Sequence, residues 1–234
     1  MRSPTAFDPT QAPRLSSGSQ KMAGAVLVAS VISLFSSFGL NAVLSPPGNP
    51  GVERPVVAAD VFVYTFEALA FALAAVGVTT ILASLPFEES RPSGYLAAVL
   101  MWIAAVFFVF VTLGRREQAD LFEAGRTDLL LDGRLPGWEG FYSAGYIFFG
   151  TGIALLGWWL HRTRVAHRAM GYVGTALGLP LAVGAYVRLV FGRTPATDAA
   201  LMPTVLVLAW LFVLGIVLYK RGRTAAIDGP PTDE

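Results

Sequence analysis

The chain contains no cysteine and only two histidines, and few of its residues carry charge. Without cysteine there is no disulfide, no thiolate metal cage and no haem attached through sulfur; the absence does not point to a compartment. Charged residues make up 14% of the 234 positions, against roughly 25% in an ordinary soluble domain. The net charge of +1 leaves no concentrated basic face of the kind nucleic acid requires, so no nucleic-acid partner is expected. His161 and His167 stand six apart in a basic segment, a spacing that does not put them on one helix face, and neither reads as a metal ligand. No phosphate loop, G-x-S-x-G or H-E-x-x-H is found. No cofactor is expected, and an intramembrane enzyme is the least supported class of function.

What the chain does have is apolar length. Hydrophobic residues make up 54% of it, gathered in six runs at 22–44, 57–85, 94–114, 138–160, 170–191 and 201–219, each near the roughly 20 residues that carry a helix across a bilayer. The reading is an all-α polytopic membrane protein, a bundle of six transmembrane helices over residues 22–223 in contact with the lipid bilayer. Segments 1–21 and 224–234 read as disordered tails. The first run is longer than the core of a secretory signal and is read as a retained helix.

Orientation follows from lysine and arginine. With both termini in the cytoplasm, ten of the seventeen basic residues fall on the inner side, including the loop HRTRVAHR and the KRGR after Tyr219. Trp138 and Tyr142 at one end of the fourth run, and Trp158 with Trp159 at the other, are expected in the interfacial aromatic belts.

Lipid tails are as apolar as leucine, so helices in a membrane associate through small residues and interhelical hydrogen bonds. Ser30, Ser33, Ser37 and Asn41 form one narrow polar stripe. Gly150, Ala154 and Gly157 form a second, and Gly174, Gly178, Ala182 and Ala185 a third. Pro180 removes one backbone donor within the fifth run and predicts a kink there.

The residue that packing does not explain is Glu67. A carboxylate near the centre of a membrane helix costs about 2.5–3.5 kcal/mol on insertion scales, so it needs a partner, a polar surrounding or a proton. Asp60, Tyr64 and Glu67 recur at i, i+4 and i+7 and share a helix face. Arg188, one turn from the end of the fifth run and on the side of its small residues, is the expected partner of Glu67. Glu139 begins the fourth run at the same level. The five residues Asp60, Tyr64, Glu67, Glu139 and Arg188 are expected to line one polar pocket in the outer half of the membrane.

The stretch FFGTGIALLGWWLHRTRVAHRAMGYVGTALGLPLAVGAY, with EALAFALAAVGVTTILASLPF through GYLAAVL before it, resembles an uncharacterised bacterial six-span integral membrane family catalogued only as a domain of unknown function. The resemblance is one of layout: a glycine-rich fourth span, a short basic loop from Arg162 to Arg168, and a fifth span opening at Met170-Gly171. It implies six spans in a bacterial inner membrane and no activity. Two functional classes stay open. One is an integral membrane protein that binds, senses or transports a small solute or proton through the outer-half pocket. The other is an accessory or assembly subunit whose small-residue stripes meet a membrane-protein partner or a second copy.

Overall fold

The computed structural model describes residues 16–44, 54–85, 92–125, 138–192 and 194–227. In lipid every backbone N–H and C=O must be satisfied within its own segment, so an apolar run of this length becomes a helix. Among the described residues seven helices result: α1 (Ser17–Leu44), α2 (Arg54–Ala83), α3 (Pro92–Glu123), α4 (Trp138–Thr163), α5 (Arg168–Phe191), the short α6 (Pro195–Ala199) and α7 (Pro203–Ile227). Six of these, all but α6, are long and apolar enough to cross a membrane. No strand occurs among the described residues. The architecture is the all-α six-helix bundle of a multi-pass membrane protein.

Several boundaries differ from the sequence reading. Helix α1 starts at Ser17, so residues 17–21 are helical; the rest of the expected N-terminal tail, apart from Ser16, lies outside the described residues. Helix α7 runs on to Ile227, past the expected limit of 223. Helix α3 continues beyond Gly114 to Glu123, because helix propensity carries the charged segment RREQADLFE onward where hydropathy has already fallen. Helix α5 passes through Pro180 as one continuous helix.

Each spanning helix packs against the next in chain order, and α7 returns to lie against α1 as well as α5. The ring closes where a Cβ on Gly24 would meet the carbonyl of Gly215 at 2.5 Å, and one on Gly222 the carbonyl of Ser17 at 2.6 Å. The two ends of the bundle helices therefore share one face, termed proximal here; the opposite face is distal. Ser30 and Ser37 turn their hydroxyls onto the Leu27 and Leu34 carbonyls at 2.7 and 2.8 Å. Ser33 instead donates across to the Phe66 carbonyl of α2 at 2.9 Å, so the polar stripe of α1 faces the bundle; the Asn41 side chain lies outside the described residues.

The closest approach is between α4 and α5. A Cβ on Gly150 would meet the Ala182 nitrogen at 2.6 Å, one on Gly157 the Gly171 carbonyl at 2.6 Å, and one on Gly171 the His161 nitrogen at 2.5 Å. With the backbones this near, Thr175 Oγ1 donates across to the Ala154 carbonyl at 3.2 Å. The centre is aromatic. Phe71 of α2 stacks on Phe108 of α3 with centroids 4.0 Å apart, and meets Phe149 and Tyr146 of α4 edge-on. The exterior carries exposed Phe62, Val106, Leu179 and Leu206, a surface suited to lipid. Trp158 is exposed, as a belt residue should be, but Trp159 is wholly buried. The two are adjacent on α4, and a turn of about 100° separates neighbours on a helix.

These contacts set the effect of adding a methyl group. Gly157→Ala forces backbone against backbone and should destabilise by about 1–3 kcal/mol, whereas Gly39, with open space around it, should accept alanine with a small gain in helix propensity. Thermal unfolding of the two variants in one detergent checks the opposite signs.

Candidate functional site

Glu67 lies inside the bundle, 3% exposed, on the inward face of α2. Tyr64, one turn earlier, is half-buried and meets Tyr142 of α4 edge-on with centroids 5.9 Å apart. Tyr142 in turn packs on Tyr146, with centroids 5.0 Å apart. The carboxyl of Glu67 is close enough to act electrostatically on both phenols. Tyr142 is thus not a lipid-facing belt residue. At i and i+4, Tyr142 and Tyr146 point the same way, and the latter belongs to the aromatic centre that also contains Phe71 and Phe108.

Two arginines flank this group. The guanidinium of Arg115, buried in the extension of α3, lies 5.5 Å from the centroid of Tyr64 and donates to Gln118 Oε1 at 2.8 Å. On the other side the guanidinium of Arg188, 5% exposed, lies 4.9 Å from the centroid of Tyr142. A desolvated cation over an aromatic face is worth up to about 2 kcal/mol, so each ring offsets part of the cost of burying its arginine.

Arg188 does not pair with Glu67. Its Nε donates to Asp198 Oδ1 at 2.9 Å and its Nη1 to the hydroxyl of Ser143 on α4 at 3.0 Å. The carboxylate comes from ten residues further on because the chain turns back. Gly192 takes φ of 76°, open to glycine at little cost, and Thr194 caps α6 in a reciprocal box with Thr197, with Pro195 at its first position. The Thr197 hydroxyl donates to the Gly192 carbonyl at 2.8 Å and fastens the turn to the end of α5. Asp198 is then held over Arg188 with its outer side 42% exposed. An arginine so close to a helix end meets the carboxylate in the adjoining turn.

Of the five residues expected to line one pocket, Tyr64, Glu67 and Arg188 are brought into the same distal cluster, linked through Tyr142. Asp60 and Glu139 stand on α2 and α4, and their side chains lie outside the described residues. Sequence reasoning did not single out Arg115, Ser143, Tyr146 or Asp198. Among the described residues no three His, Asp or Glu side chains are grouped to hold a metal ion. Chemically, the cluster offers a carboxyl group and a packed pair of phenols, groups able to hold a proton, beside two cations that favour negative charge. No family model, curated protein or solved structure matches the chain.

The pairing scheme gives distinct couplings. Arg188→Gln and Asp198→Asn should each destabilise, the latter by about 1.5 kcal/mol, since charge-assisted hydrogen bonds contribute about 1.5–3 kcal/mol and Asp198 is half in solvent. The double variant should cost clearly less than the sum. Arg188→Gln with Glu67→Gln should instead add to within about 0.5 kcal/mol. Unfolding free energies of the parent protein and the five variants decide between the two pairings.

Proposed function

We propose that the protein is an integral membrane protein of the cytoplasmic membrane that binds a proton or a small solute at the distal cluster, with Glu67 as the exchanging group and Tyr142 and Tyr146 as its relay. The observation that carries the reading is the burial of the Glu67 carboxyl inside the bundle, on the face of α2 whose Tyr64 meets the packed pair Tyr142 and Tyr146. An ionisable group kept within a membrane helix and turned inward is by default a functional residue. A helix-packing role alone would be served by serine or threonine at a lower insertion cost. The two arginines keep the local potential positive, which eases release of a proton and favours an anionic form of any solute. Both termini are assigned to the cytoplasm, on the bias of lysine and arginine toward the proximal face.

Infrared difference spectra across an acid titration test the exchanging group. Among the protonated-carboxyl bands of the parent protein, one component should be missing in Glu67→Gln and shifted in Tyr146→Phe. Identical spectra for the parent and Glu67→Gln proteins would sink the assignment. The orientation is checked by single cysteines, for which the cysteine-free chain is ready-made. Cysteines at Ser19 and Arg223 should both react only with cytoplasmic reagents, and one at Pro195 only with periplasmic ones.

A further inference from the structure

The proximal face, at the other end of the bundle from the candidate site, carries its own chemistry. The loop between α4 and α5 presents Arg164, and the start of α5 presents Arg168, both exposed; Arg164 is held at φ of 58°, a left-handed conformation uncommon for a side chain of its size. The end of α7 is tied to this loop by Arg221, whose Nη1 donates to the Val165 carbonyl at 2.8 Å. Next to it Lys220 is exposed, and Lys21 of α1 packs against Gly222, where a Cβ would lie 2.9 Å from its Cγ. Arg162 completes the arc, its guanidinium 4.6 Å from the centroid of Trp158. Four helices and one loop thus converge six cations on one corner. Among the described residues of 16–27, 76–85, 92–103, 155–175 and 212–227 there is no aspartate or glutamate to balance them.

The level of this corner is marked independently. Trp158, Tyr172 and Tyr219 are all exposed, and each lies within about a turn of one of the cations. Exposed aromatic residues of this kind sit at the headgroup level of a bilayer. Cations immediately beyond such a belt face phosphate groups, and each Lys or Arg near an anionic surface adds about 1 kcal/mol of attraction, or roughly fivefold in affinity.

We propose that this corner is a seat for an anionic phospholipid headgroup, with Arg164, Arg168 and Arg221 as its phosphate-binding core and Arg162 braced on Trp158 beside it. A loop pinned by Arg221 presents its arginines at fixed spacing, which suits the planar fork of a guanidinium to phosphate oxygens. The seat is independent of the distal site and of any exchange at Glu67.

Quenching of tryptophan fluorescence by brominated lipid tests this. The protein is reconstituted in phosphatidylcholine, and brominated phosphatidylglycerol is compared with brominated phosphatidylcholine as quencher. The parent protein should prefer phosphatidylglycerol at least fivefold at low salt, and the preference should fall as salt rises. The triple variant Arg164→Gln, Arg168→Gln, Arg221→Gln should lose it, and the triple lysine variant should keep most of it. The lysine variant and the salt series carry the test if the glutamine variant does not fold. Equal quenching by the two lipids in the parent protein, or a preference indifferent to salt, overturns the proposal. So does displacement by inorganic phosphate at ionic strengths where chloride has no effect, since that would mark a site for the free ion.

Discussion

The bundle depends on how near two helix backbones can come. A hydrocarbon surrounding gives no gain for hiding leucine from lipid, so the helices must hold one another by dispersion contact and by hydrogen bonds that lipid cannot supply. Between α4 and α5 the glycines Gly150, Gly157, Gly171 and Gly178 let backbone meet backbone along the line of contact. Only then can Thr175 reach the Ala154 carbonyl. The same approach fixes where Arg188 of α5 and Ser143 of α4 stand relative to one another, and so whether their hydrogen bond can form. Polar chemistry at the distal end thus rests on small residues several turns away.

The distal cluster shows how a membrane protein can keep ionisable groups without lining them up as simple ion pairs. Arg115 and Arg188 are each covered by a tyrosine ring, and Arg188 completes its needs with a serine hydroxyl and a half-exposed aspartate. The rings supply a negative face that requires no second buried charge. Glu67 is therefore not consumed in neutralising Arg188. Its neighbours include phenols, which interact with a carboxyl group in either protonation state.

How much of this could be read in the amino-acid order differs by level. The six spans follow from hydropathy, because length and apolarity alone decide insertion. The small-residue faces of α4 and α5 follow from three- and four-residue spacing. The partner of Arg188 does not, because the relevant carboxylate lies in a polar turn that hydropathy treats as mere connection. A signal was nevertheless present: Thr194-Pro195 followed by Thr197 is the start of a capped helix, and a helix beginning there brings Asp198 back over the end of α5. Arg115 was hidden for a related reason. Its neighbours are charged, yet the helix that holds it does not end where the apolar run ends. Tyr142 was misassigned because a tyrosine at a helix end fits an interfacial belt as readily as an interior, and only its neighbours across the bundle distinguish the two.

The contact between Gly24 and Gly215 has a consequence for the order in which the protein is made. The first helix finds its last neighbour only after roughly 190 further residues have been synthesised, an interval of roughly 10–40 s at ordinary rates of chain elongation. Throughout that time the groove that α7 will fill stands open along α1, lined by Gly24, Leu27 and Val28. Closure of the ring is thus the most non-local event in its assembly, of the kind that slows folding. A chain cut short before the seventh helix would leave the membrane with an unsealed, five-span intermediate whose exposed seam is made of the residues best able to adhere to another helix.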